Sequence, residues 1–121
     1  MRSRAPESPV LHYALGLLHM RQQRPEAAGA SLARAHELAP DGAYAYAFGL
    51  FLVDRDRAEE GLAVLSDALA KRPGDRQLLL ALATLRRDRG ERAEAIAYAR
   101  RLVESAPGDP GAAALLASLE R

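Results

Sequence analysis

The sequence predicts an all-α protein of seven helices: three helix–turn–helix units followed by a C-terminal capping helix. Three observations predict it. Stretches of one design recur at 25–40, 58–73 and 92–107, each opening on a charged, Ala-rich turn, placing a small residue fourth and closing on proline. The closing prolines, Pro40, Pro73 and Pro107, stand 33 and 34 residues apart, and an internal period of that size marks stacked supersecondary units. With 2 Phe, 4 Tyr and no Trp in 121 residues, the core must be made of Ala and Leu, which favours closely packed helices over a sandwich or barrel.

The elements follow in order. Ser8-Pro9 pairs an N-cap side chain with a proline at the first helical position, where its missing N–H costs nothing, and opens a helix over about 9–22. In 25–39, Ala28, Leu32, Ala35 and Leu38 recur at helical spacing on one face, while Glu26, Arg34 and Glu37 lie elsewhere. A third helix is expected over about 42–54. Asp56 and Glu59 have the spacing of a capping box for the helix in 58–73. Asp75 can cap a helix over 76–88, and Gly90 can end it in the left-handed conformation. The helix in 92–107 follows, and Asp109-Pro110 opens the last, over 110–120.

Further columns keep the same register. Leu15-Gly16, Phe48-Gly49, Leu82-Ala83 and Leu116-Ala117 each pair a large apolar residue with a small one, and Ala28, Gly61 and Ala95 form another small column. The repeats therefore run over about 9–41, 42–75 and 76–109 within a single domain, 9–121, behind a flexible N-terminus, 1–8. One helix pair cannot bury its apolar face alone, so each copy buries its neighbour.

Composition removes several function classes. Cysteine is absent, which excludes disulfides, thiolate catalysis, Cys-ligated zinc and covalent haem. A net charge of +1, with acids and bases interspersed, gives no push towards nucleic acid or anionic lipid. No run is long and apolar enough for a membrane span, and "MRSRAPESP" has no hydrophobic segment of a secretion signal. A cytoplasmic chain is expected, with the periplasm as the alternative if a signal preceded Met1.

Candidate chemistry is thin. His12 and His19 are seven apart, whereas a helical metal pair is usually four apart, and both fall in core slots. His36 is expected to be a partly exposed surface histidine. Ser31, Ser66, Ser105 and Ser118 lack the strand–turn–helix context of a nucleophile. The run "RRDRGER" at 86–92 is broken by Asp88 and Glu91, and reads as a solvated helix end with ion pairs. No catalytic residue, metal ligand or cofactor site is expected.

At these columns the chain resembles the tetratricopeptide repeat, whose signature is W-x2-L-G-x2-Y, then A-x3-F, then A, then P. The first unit matches with Leu15-Gly16, Ala28, Leu32, Ala35 and Pro40, and His12 and His19 occupy the Trp and Tyr slots. The second matches with Phe48-Gly49, Gly61, Leu65, Ala68 and Pro73. The third has Leu82-Ala83, Ala95, Ala99, Leu102 and Pro107, with Leu79 and Arg86 in the aromatic slots. The missing aromatics are the main departure.

The resemblance implies a right-handed α-solenoid whose concave face, made by the first helix of each unit, grips an extended or helical segment of another protein. In that register Tyr13, Leu17, Met20, Tyr46, Leu50, Val53, Leu80, Thr84 and Arg87 are the groove residues. Some relatives hold a partner's terminal carboxylate with Lys, Asn and Arg, but here those slots carry Tyr13, Leu17, Ala47, Gln77 and Ala81. An apolar or amphipathic protein or peptide is therefore the expected partner. The alternative is a repeat segment of a larger bacterial protein that mediates internal docking or homo-oligomer assembly.

Overall fold

Seven α-helices and no strand form among the described residues, 7–39 and 41–121 of this computed structural model: α1 (Pro9–Arg21), α2 (Pro25–Leu38), α3 (Ala45–Asp54), α4 (Ala58–Lys71), α5 (Arg76–Asp88), α6 (Arg92–Ser105) and α7 (Pro110–Glu120). Pro40 and most of the expected flexible N-terminus, residues 1–6, lie outside the described residues. Glu7 and Ser8, assigned from the sequence to that flexible end, are held in place. The Ser8 hydroxyl accepts a hydrogen bond from the Leu11 amide at 3.2 Å, and the Glu7 carboxylate binds Arg34 of α2 and His12.

The predicted caps at Asp75 and Asp109 form. Asp75 accepts from the Leu78 amide at 3.0 Å, and Asp109 accepts from Gly111 at 2.9 Å and Ala112 at 3.4 Å. Each satisfies amides that a helix start leaves without intrahelical partners.

The first helix of each pair ends in one motif. After α1, α3 and α5 the chain enters the left-handed region at Gln23 (φ 59°), Asp56 (φ 66°) and Gly90 (φ 79°). The next amide then reaches back five residues: Arg24 to the His19 carbonyl at 2.8 Å, Arg57 to Leu52 at 2.9 Å, Glu91 to Arg86 at 2.9 Å. These are Schellman closures. The same three residues accept the first bond of the next helix, from Ala28, Gly61 and Ala95. End and start share a residue, so the turn is tight.

Two expectations need correction. Asp56 does not cap α4, because its left-handed backbone makes it the residue that ends α3. Helix α3 begins at Ala45 rather than near residue 42. Gly42 (φ 84°) and an Asp41 carboxylate that accepts from the Ala43 amide at 3.1 Å hold the preceding residues in a turn.

The chain divides into two compact units, one ending at Val64 and the other beginning at Leu65, within α4. In the first, α2 packs on both α1 and α3. Ala28 and Leu32 of α2 and Phe51 and Leu52 of α3 form a buried cluster, with Tyr13, Ala47, Phe48 and Val64 against it. The small column sets how closely helices approach. A Cβ on Gly61 would lie 2.6 Å from the Gly49 carbonyl oxygen and 2.7 Å from Val53 Cγ2, and one on Gly16 would lie 2.8 Å from the Leu32 side chain.

In the second unit, α6 packs on α5 and α7. Ala83, Ala95, Ala99 and Leu119 form its cluster, with Ile96, Tyr98, Leu115 and Leu116 against it. Leu78, Leu79, Leu82 and Leu102 are also buried. Burying a leucine contributes about 1.5–3 kcal/mol, so a thin core of Ala and Leu suffices without tryptophan.

Candidate protein-interaction surface

The largest departure from a normal surface lies on α1. Val10, Leu11, Leu17, Leu18 and Met20 are the exposed large hydrophobics among the described residues, between 44% and 62% accessible. The packed side of α1 carries the buried Gly16 and the half-buried His12, Tyr13, Leu15 and His19. A helix that is apolar nearly all round needs more cover than one neighbour supplies.

The predicted groove residues divide by what already occupies them. Leu17 and Met20 are exposed. Tyr13 is half-buried against the first cluster, and its ring stacks on Tyr44 at 5.1 Å. Tyr46 and Leu50 of α3 are half-buried, and Val53 is turned onto the Gly61 approach. Within the second unit, Leu80 is half-buried, and the Thr84 hydroxyl donates to the Leu80 carbonyl at 2.9 Å, which spends its donor within α5. Arg87 is exposed and paired with Asp88 at 3.0 Å.

Sequence reasoning missed the second stripe of α1, Leu11, Ala14 and Leu18. The signal was available: at the same register Tyr44 precedes α3, which carries Ala47 and Phe51, α5 carries Leu78, Ala81 and Leu85, and α7 carries Ala112, Leu115 and Leu119. A groove of about 490 Å³ on the first unit was missed as well, lined by Phe48, Phe51, Gly29, Ala30, Ala33 and Arg55 among others. Gly29 lets the Phe51 ring lie close against α2 in that groove: a Cβ there would come within 2.9 Å of Phe51 Cε2. Gly29 stands where the later units carry Leu62 and Ile96.

The polar groups near these surfaces serve the fold. Arg34 hydrogen-bonds the Glu7 carboxylate and holds its pKa down at about 2, with His12 assisting. The Arg86 guanidinium, bonded to Glu91 at 2.8 Å, keeps that carboxylate below its usual range at the α5–α6 turn. Arg76 does the same for Asp109 at 2.6 Å, with the Ala112 and Gly111 amides adding to it. His36 is partly exposed, as expected, and packs on Phe48 with ring centroids 5.6 Å apart. Among the described residues no group of three or more His, Asp or Glu is placed to hold a metal, and no helix is long and apolar enough to cross a membrane.

Helix pairs of constant register and small-residue contacts define an all-α helical-repeat protein of the solenoid class. Two family patterns, both described as tetratricopeptide repeat, match residues 2–43 and 52–119. The chain belongs to the tetratricopeptide repeat family. Among solved structures it is similar to the first tetratricopeptide repeat domain of Spaghetti (RPAP3) bound to the HSP90 peptide SRMEEVD, with a TM-score of 0.77, 12% identity, and coverage of 93% of this chain and 92% of that one. No curated protein matches the sequence.

Proposed function

We propose that this chain is a non-catalytic protein-interaction module that holds an apolar or amphipathic segment of a partner protein on the side bearing Leu17 and Met20 of α1 and Tyr46 and Leu50 of α3. The observation that carries this reading is the exposed apolar surface of α1, because soluble chains seldom leave such a patch uncovered. The similar structure holds a peptide ending in Glu-Glu-Val-Asp, which supports a peptide as the type of partner. Its acidic end is not carried over: Tyr13, Leu17, Ala47, Gln77 and Ala81 offer no cation for a terminal carboxylate.

The test compares partner capture by the wild type with capture by Leu17→Ser/Met20→Ser. Both residues are 44–45% exposed, so the melting temperature should hold while the captured partner is lost. Equal capture by both proteins would place the binding surface elsewhere. If instead the wild type self-associates and the variant does not, the surface serves homo-oligomer assembly.

A further inference from the structure

The groove lined by Phe48 and Phe51 runs between two helices of the first unit. Gly29 of α2 lies against Phe51 of α3, and His36 packs on Phe48, so the two helices run antiparallel and the groove changes character along its length. At one end stand Ala33 and Phe48. At the other stand Glu26, in the first turn of α2, and Arg55, just past α3, on opposite walls. Neither of these two side chains engages a partner among the described residues. The other arginine of the lining, Arg57, is already held by both carboxylate oxygens of Glu60, at 2.9 and 2.7 Å. The groove is therefore an apolar slot that ends in one free anion and one free cation.

We propose that this slot takes one helix of a partner protein, seated by a single large apolar side chain between Ala33 and Phe48, with an acidic residue on Arg55 and a basic residue on Glu26 one turn away. The lining itself argues for this occupant. Glu26, Ala30, Arg55 and Arg57 are exposed, so whatever enters the slot keeps one side in water. A small-molecule site instead buries about 70–90% of its ligand, and a slot open along one side suits the anchor side chain of a larger molecule. The lining covers residues 25–33 of α2, about 12 Å at 1.5 Å per residue. With the roughly 8–10 Å between packed helices, that is on the order of 100 Å², far below the roughly 800 Å² that each partner buries in a stable dimer. A short segment fits it, and the face of a second copy does not. The α2 wall is Gly29, Ala30 and Ala33, and at the other close approaches of this unit a helix lies on the small residue: α2 on Gly16 and α3 on Gly61. Charge complementarity supplies the rest. Residues three and four positions from an anchor stand one turn along a helix, to either side of it, which places one on each wall.

This inference does not rest on the surface bearing Leu17 and Met20, and the two are tested apart. The probes are four acetylated and amidated alanine-based helical peptides, each with one Phe and with Glu and Lys three and four residues before or after it, in either order. Each is titrated into the isotopically labelled full chain and followed by amide chemical shifts. Shifts should centre on Gly29, Ala33, Phe48 and Phe51. One peptide should bind about threefold or more tighter than its counterpart with Glu and Lys exchanged, as partly exposed ion pairs allow. Glu26→Arg/Arg55→Glu exchanges two exposed, unpartnered charges, so it should invert that preference at a nearly unchanged melting temperature, while Leu17→Ser/Met20→Ser leaves the titration as it was. Absence of shifts with all four peptides up to about 1 mM, equal binding by all four, a preference that survives the charge exchange, or shifts centred on α1 would each overturn the proposal. So would sedimentation showing a wild-type dimer that the charge exchange dissociates, since a second copy would then be the occupant.

Discussion

At the scale of single residues, local backbone conformation decides more than side-chain identity. Gly90 was legible because glycine visits the left-handed region at little cost. Gln23 and Asp56 occupy the same place without being glycine, so composition hid two of the three closures, and Asp56 was read instead as a cap. Holding a residue with a Cβ there costs on the order of 1 kcal/mol. Asp56→Gly should therefore raise stability by up to about 1 kcal/mol, read as a higher urea midpoint at unchanged slope. A lower midpoint would mean that the Asp56 side chain contributes more than its backbone costs. The opposite sign is expected at Gly61. Alanine there gains about 1 kcal/mol of helix propensity, but its Cβ would sit 2.6 Å from the backbone oxygen of Gly49, and backbone cannot rotate away as a side chain can. Gly61→Ala should destabilise by about 1–3 kcal/mol net, and thermal unfolding reads the difference.

At the scale of elements, helix starts with proline or a capping carboxylate were legible, since Ser8-Pro9, Asp75 and Asp109-Pro110 carry their own hydrogen-bond logic. The starts of α2 and α6 were less so, because Arg24 and Glu91 make no side-chain cap and are positioned by the closure of the helix before them. The start of α3 was misplaced because a left-handed Gly42 and the Asp41 turn delay it. The start of α1 depends on a contact invisible to local pattern: Glu7 joins it to Arg34 of α2, twenty-seven residues away. This contact gives a pH signature. The Glu7 carboxylate has its pKa lowered from 4.5 to about 2, so its stabilising effect is complete above about pH 4.5 and is lost as pH falls towards 2. Glu7→Gln should remove the part of the acid sensitivity that falls in that window and leave stability near pH 2 nearly unchanged. A pH series of urea midpoints on both proteins checks it, and parallel curves would assign the acid loss to other carboxylates.

At the scale of the whole molecule, the repeat period made the fold legible, because three columns in one register leave few architectures that bury them. The exposure of the residues proposed to bind was legible only in part. Leu17 and Met20 stand exposed as the register implies, whereas Tyr13 and Val53 are partly spent on packing. Leu11 and Leu18 went unread because the same positions carry the buried Phe51, Leu78 and Leu119 in later units, which makes them read as core. The consequence is measurable without any partner. The exposed large hydrophobics among the described residues fall on one helix, and apolar side chains gathered in one patch offer a binding surface to apolar probes. The folded chain should therefore enhance the fluorescence of the apolar dye 1-anilinonaphthalene-8-sulfonate under native conditions. Leu11→Ser/Leu17→Ser/Leu18→Ser should abolish most of that signal, with a stability change of less than about 1 kcal/mol per site, because each side chain is already nearly half in water. If the dye signal survives the triple substitution, the apolar surface of this protein lies in the Phe48–Phe51 groove of the first unit rather than on α1.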